Sequence, residues 1–480
     1  MEVGNEVEFL CNKTILVTGT TGFLGKVLLE KILRIQPNVK KLYLLIRIKD
    51  TKSSLERLHD QIIGKELFRV LRERHGAEFD SFISEKVAPI DGDTSLVNLG
   101  LKDKSEIYKE IDVIIHSAAV TKFQERYDLA LGINTLGARN VLQYAKTCPK
   151  LQVLVHVSTA YVCREKAGLI LETPCKMGET LSGIDIDVEK KLANETLNGL
   201  TSKGASTKQI RDTMKSLGQK RADVYGCANT YVFTKVMAEM LIWEHKGDLP
   251  VVIVRPTMIC STYKEPFPGW IEGVGSTGTL SILYGKGLIN FLYADGNSVI
   301  DLIPVDMVVN SIISGMVANA NKPCLTIYQV GSSLRNPLTV SKLVDINYRY
   351  FNKNPWIDGQ GVPVKIKKGK LVKDRLHFLM LSVQPIPKLM VLKLVDIALC
   401  RYFKLNQDKL EMQLKVAVKM AMIFSHYLLF AGIFDDENTE KLRTTIKRID
   451  EEGFNFDPKS IDWEDYLFNH HIPAIVNYLF

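Results

Sequence analysis

Apolar residues in the first half of the chain gather into short unbroken runs, separated by stretches with helical spacing. Residues 14–18 read TILVT, a β-branched strand signal, and FLGKVLLEKILRIQ follows, with Leu24, Leu28, Leu29 and Ile32 on one helical face. Pro37 ends that helix. Further strands are predicted at 42–47 (LYLLIR), 86–90 (KVAPI), 112–119 (DVIIHSAA), 151–158 (LQVLVHVS) and 250–256 (PVVIVRP). Unbroken rather than alternating runs suit parallel strands covered on both faces. Repeated strand–helix units of this kind predict an α/β fold with a doubly wound parallel Rossmann sheet.

Two segments break the rhythm. Residues 163–229 are long and charged, as surface helices inserted ahead of the helix that carries Tyr231 would be. Near residue 330 the texture changes: a basic run, KIKKGKLVKDR (365–375), precedes LHFLMLSVQPIPKLMVLKLVDIALCRYF. Pro385, Pro387, Lys388, Lys393 and Asp396 interrupt that apolar stretch, so no membrane-crossing helix is expected. Its periodicity suits a helix on a core or on a membrane surface.

With 480 residues, 46% of them hydrophobic, the chain can bury its cores without disulfides. Its 8 cysteines are scattered singly, as reduced thiols in a cytosol-facing protein would be. The 9 histidines form no helical pair and no Cys/His cluster, which gives a metal site no support. A net charge of +8 is compatible with phosphorylated ligands or an anionic membrane, and no nucleic-acid-binding motif is present. MEVGNEVEFL has no cationic leader, so neither a secretory signal nor a transit peptide is expected.

The first chemistry lies between the first strand and its helix. Gly19, Gly22 and Gly25 form a G-x-x-G-x-x-G turn in TGTTGFLG, with Thr18, Thr20 and Thr21 adding small hydroxyl donors. Such a turn lets the backbone approach a dinucleotide pyrophosphate, and the helix start presents free N–H groups to it. Gly19, Thr21, Gly22, Phe23, Leu24 and Gly25 are therefore cofactor-binding candidates. About 20 residues past the glycines, an acidic residue would favour NAD and an arginine NADP. Arg47 stands there, with Lys49 beside it and Asp50 farther into the loop, so NADPH is expected.

The second chemistry is Tyr231 followed one turn later by Lys235. Hydride transfer to a carbonyl leaves an alkoxide that needs a proton. A tyrosine can supply it if a neighbouring cation pulls its phenol below the ordinary value of about 10. Lys235 lies on the same helical face and can also bond the nicotinamide ribose. A third donor is expected at the end of the fifth strand, where either Ser158 or Thr159 could polarise the carbonyl.

TGTTGFLG, VSTAY (157–161), Tyr231-x-x-x-Lys235 and VRPT (254–257) resemble the extended short-chain dehydrogenase/reductases. QPNVKKLYLLIR, FQERYD, NTYVFTK, EPFPGWIEG and GIFDDENTEKL narrow the resemblance to the plant alcohol-forming fatty acyl-CoA reductases, across nearly the whole chain. It implies a Rossmann reductase domain at 1–330 and a smaller, mainly helical C-terminal domain at 331–480. It implies NADPH-dependent reduction of a long-chain acyl-CoA to a primary alcohol in two hydride steps. It makes Thr159 the third catalytic residue beside Tyr231 and Lys235. By the same resemblance Asp93 faces the adenine, Ala118 lines the cofactor cleft, and Pro256 with Thr257 flanks the nicotinamide. Acyl-CoA and the basic, apolar segment after 365 together suggest residence on the cytosolic face of the endoplasmic reticulum, with the cytosol as the alternative.

The chain departs from the plant pattern at Arg164 (usually glycine), at Cys227-Ala228 (commonly Trp-Pro) and at Gly275 (frequently arginine). These changes bear on chain length and turnover. Two other readings compete: an extended reductase for a steroid, flavonoid or sugar nucleotide, and a non-catalytic protein that retains NADPH binding. The family-specific C-terminal half opposes the first, and Thr159, Tyr231 and Lys235 oppose the second.

Overall fold

A computed structural model describes residues 6–48, 52–101, 106–163, 167–273, 275–383, 407–446 and 453–479. Its central sheet has seven parallel strands: β1 (Thr14–Thr18), β2 (Lys41–Ile46), β3 (Val87–Asp91), β4 (Val113–His116), β5 (Val153–Val157), β6 (Val251–Pro256) and β7 (Leu325–Val330). Their spatial order is β3-β2-β1-β4-β5-β6-β7. The chain turns back between β1 and β4, the switch point where open α/β sheets bind ligands.

The helices used below are α1 (Phe23–Ile35), α2 (Gly137–Thr147), α3 (Ile186–Ser202), α4 (Thr207–Val224), α5 (Thr230–His245), α6 (Ser276–Gly285), α7 (Val305–Asn319), α8 (Val340–Lys353) and α9 (Gln407–Leu428). Alternate residues of each strand point to opposite faces. Leu16, Ile114 and Leu154 pack with Val141, Leu142 and Ile242 of α2 and α5. Ile15, Val17, Ile115 and Val155 meet Leu28, Ile32 and Ile312 of α1 and α7 on the other side. The sheet is thus apolar on both faces, which is why its strands read as unbroken runs.

The six strands legible in sequence lie where the pattern puts them, the first with both ends matched and the others with ends shifted by up to three residues. The seventh, LTIYQV, is interrupted by Thr326 and Gln329, which weakens its apolar signal. Gln329 is buried because its amide donates to the Ile170 and Asp435 carbonyls, both at 2.8 Å. These bonds flank a short parallel pairing of Gly168–Ile170 with Gly432–Phe434, which ties the C-terminal region to the sheet. Residues 384–406, which hold most of the interrupted apolar stretch, and Arg164 lie outside the described residues.

Candidate active site

The sheet's switch point is built for close backbone approach. Gly19 has φ +81°, and a Cβ there would lie 2.6 Å from the Ala118 nitrogen. At Gly25 a Cβ would meet the Gly19 carbonyl oxygen at 2.5 Å. Helix α1 starts from Gly22 with no side-chain cap, so its first turn keeps main-chain N–H groups available to an anion. The Thr20 hydroxyl is buried without a hydrogen-bond partner among the described residues. A glycine cradle, an uncapped helix start and an orphaned hydroxyl fit a dinucleotide pyrophosphate.

Thr21, Phe23 and Leu24 complete the loop. The Thr21 carbonyl accepts from Lys26 Nζ at 2.9 Å, and Lys26 is ion-paired to Glu272. The Phe23 ring packs 5.4 Å from Trp270. The WIE segment at 270–272 therefore braces the glycine turn, a role that its sequence does not reveal. Ala118 is fixed by its own N–H, which donates to Thr18 Oγ1 at 3.2 Å.

Just beyond the end of β2, Arg47 is half exposed and its guanidinium lies 3.9 Å from the Asp93 carboxylate. Asp93 also accepts from Ser95 N and Oγ at 2.9 and 2.8 Å, which fixes its turn. Arg57, which sequence reasoning passed over, donates to the Arg47 carbonyl, so a second guanidinium lies against the loop that leaves β2.

Lys235, Ser158 and Thr159 meet at the carboxyl end of β5. Asn229 caps α5 by accepting from Val232 N at 3.0 Å. Lys235 is 1% exposed, and its Nζ donates to the Val157 carbonyl at 2.6 Å. Ser158 and Thr159 follow Val157 directly, both buried. Ser158 Oγ has no partner among the described residues, while Thr159 Oγ1 accepts from Tyr161 N at 3.4 Å. Burial pushes the Tyr231 phenol above its ordinary value, the reverse of the lowering by Lys235 that the sequence predicts, and it pulls the Lys235 ammonium down to about 8 against the opposing effect of Glu239. That carboxylate is held by Arg255 in a pair buried from solvent on both sides.

Two histidines that sequence reasoning did not use lie under this site. His116 and His156 are register partners on β4 and β5, with ring centroids 5.1 Å apart. His156 Nε2 is 3.4 Å from Lys235 Nζ, and His116 Nδ1 is 2.8 Å from Thr18 Oγ1. Burial, then the Lys235 charge, lowers His116 to about 3 and His156 well below its ordinary value, so both rings are neutral. A histidine near the end of an otherwise apolar strand was the available signal.

Asn134 was missed as well. Its amide accepts from Val120 N at 2.8 Å and donates to the Val120 carbonyl at 3.1 Å and to Thr234 Oγ1 at 2.9 Å. It clamps the loop after β4 onto α5, between Tyr231 and Lys235. Pro256 ends β6, and the Thr257 hydroxyl donates to buried Asp301 at 2.9 Å. That hydroxyl is committed to a carboxylate, the Thr257 N–H donates to the Val330 carbonyl at 3.0 Å, and the methyl group lies against Gly331. Of the departures, Cys227 is buried and Gly275 caps α6. His426 is exposed, whereas His471 is buried and bonds Ser261 Oγ at 3.0 Å.

Residues 17–312 match the NAD-binding family model described as male sterility protein, and residues 388–480 match the Sterile model of the same description. The alcohol-forming fatty acyl-CoA reductase of Simmondsia chinensis is 47% identical over 489 residues, covering 100% of this chain and 99% of that protein. Fatty acyl-CoA reductase 1 of Arabidopsis thaliana is 48% identical over 488 residues, at 99% of each. The chain belongs to the fatty acyl-CoA reductase family.

Among solved structures, the terminal reductase domain of the myxalamid biosynthetic pathway superposes with a TM-score of 0.60 at 18% identity. That alignment covers 98% of this chain and 91% of that domain. It shows that the two share a fold. The family match gives this fatty acyl-CoA reductase a nicotinamide cofactor, and the glycine cradle in the β1–β4 crevice fits its pyrophosphate.

Proposed function

We propose that the chain reduces long-chain fatty acyl-CoA to a primary alcohol with NADPH, using Tyr231, Lys235 and Thr159. The observation that carries this reading is the meeting of Lys235, Ser158-Thr159 and the Gly19 turn at one end of the sheet, in a chain that matches alcohol-forming relatives over its full length. NADPH, when bound, supplies the hydride that each reduction step consumes. Arg47 and Arg57 support NADPH over NADH, because a 2′-phosphate is an anion that guanidinium groups recognise.

The chain's own groups handle the oxygen and the protons. Thr159 and Tyr231 hydroxyls hold the thioester carbonyl oxygen and stabilise the tetrahedral oxyanion that expels CoA thiolate. The aldehyde stays on the same two donors for the second reduction, after which Tyr231 protonates the alkoxide. Two hydrides and two protons convert the thioester to alcohol and free CoA. Lys235 stabilises the Tyr231 phenolate and bonds the nicotinamide ribose, while Asn134 keeps the Tyr231–Lys235 turn in place. Asp93, Ala118 and Pro256 line the adenine, cleft and nicotinamide ends.

No described helix is long and apolar enough to cross a membrane. The helix Arg375–Val383, directly after the basic run, exposes Leu376, Leu379 and Met380. A cationic strip beside exposed apolar side chains supports peripheral attachment to the cytosolic face of the endoplasmic reticulum. The test of the reaction is direct: purified protein with acyl-CoA should oxidise NADPH and form alcohol and free CoA, with NADH a poor substitute.

A further inference from the structure

An apolar pocket lies between α6, α8, the strand Phe291–Tyr293 and the last turn of α9. Its walls are almost wholly hydrocarbon, with Leu280, Tyr284, Leu292, Leu343, Val344 and Leu428 among them. Gly369 also lines it; a Cβ there would stand 3.0 Å from Val344 Cγ1, so a side chain would narrow the space.

What makes this more than a packing fault is the wall it shares with the active site. Leu428 is buried at the end of α9, and the residue before it, Tyr427, receives the Asn229 amide N–H at 3.1 Å. Asn229 caps the helix that carries Tyr231. The Tyr427 ring also packs edge-on to Tyr161 at 4.8 Å and stacks on Phe123 at 5.3 Å, and Phe424 meets Phe123 at 6.2 Å. Phe123 and Tyr161 belong to the loops that leave β4 and β5 on the catalytic side. One turn of α9 therefore has catalytic-side loops against one surface and the apolar pocket against the other. The opposite wall, α6, follows the WIE segment that braces the glycine turn.

We infer that this pocket holds the distal part of the substrate's acyl chain, and that Leu343 and Val344 of α8 set the chain length accepted. The inference rests on the acyl-CoA reading above and places the tail of that substrate. Apolar walls favour a ligand roughly in proportion to the methylenes they take from water. A carbonyl held by Tyr231 with its tail beyond Tyr427 would meet α8 late in the chain, where length is discriminated.

Two substitutions move the wall in opposite directions. Val344→Phe should shift the alcohol profile to shorter chains, lowering kcat/KM about fourfold for each methylene that no longer fits. Leu343→Ala should shift it to longer ones. NADPH affinity should stay that of the parent protein in both, since neither residue is near the cofactor crevice. Folded variants that bind NADPH normally and keep the parental profile would overturn the inference while leaving the reductase reading intact. A second measurement does not depend on turnover: an acyl-CoA with a photoreactive diazirine near its methyl end should label residues in 280–292 or 340–347. Labelling confined to other segments would overturn the placement even if the protein reduced nothing.

Discussion

The Lys235 ammonium donates to the main-chain carbonyl of Val157 at 2.6 Å, which joins the catalytic helix to the strand that delivers Ser158 and Thr159. A charged lysine this deeply buried is costly unless its protons are held. The Val157 carbonyl and the neutral His156 ring, 3.4 Å away, are its acceptors. The same burial lowers its proton affinity to about 8, well within the range of an assay.

A pH dependence follows. Proton delivery from Tyr231 needs Lys235 charged, and in the free enzyme that charge is lost as pH rises through about 8. kcat/KM should therefore fall on the alkaline side with a midpoint near that value. Lys235→Arg, permanently charged, should retain residual activity whose alkaline limb moves upward. A parental profile that stays flat from pH 7 to 10 would contradict this assignment.

Cofactor choice should respond to Arg47. Arg47→Glu places a carboxylate beside Asp93 at the end of β2. The KM for NADPH should rise roughly ten- to hundredfold, as expected for losing a charge-assisted contact, with NADH nearly unaffected. Steady-state kinetics with both cofactors measures it, and an unchanged ratio removes Arg47 from the phosphate site.

The glycine turn should tolerate no side chain. Gly19→Ala imposes φ +81° on alanine and drives its Cβ into the Ala118 backbone. Strain of about 1–3 kcal/mol and a loss of NADPH binding should appear together in denaturation and titration. Gly22→Ala should be milder, because its Cβ would meet only the Gly19 carbonyl oxygen, at 3.2 Å.

Buried charge should matter most at Glu239. Replacing it with glutamine removes the carboxylate charge that pairs the buried Arg255 guanidinium of β6, with the Thr173 carbonyl, 2.8 Å away, still accepting from it. The loss should be about 3–5 kcal/mol in chemical denaturation. A change below about 1 kcal/mol would show that the pair is dispensable.

The sheet was legible because buried parallel strands must be apolar throughout, and the glycine turn because no other residue type fits its φ and spacing. Tyr231 and Lys235 were legible because helical spacing places them on one face. His156, Asn134 and Tyr427 were not: each acts through a partner 79 to 198 residues away, and local pattern carries no trace of such pairings. The seventh strand escaped for a related reason, since Gln329 is polar by itself and buried only because the C-terminal region returns to satisfy it.

The most direct test of the account is the alcohol content of yeast expressing the chain, profiled by gas chromatography against cells expressing Tyr231→Phe. New primary fatty alcohols should appear with the parent sequence. With the variant they should fall by roughly 100- to 10,000-fold, the usual weight of a lost general acid, at unchanged NADPH affinity. Alcohols made equally well by a phenylalanine at 231 would contradict the proton-donor assignment on which the mechanism rests.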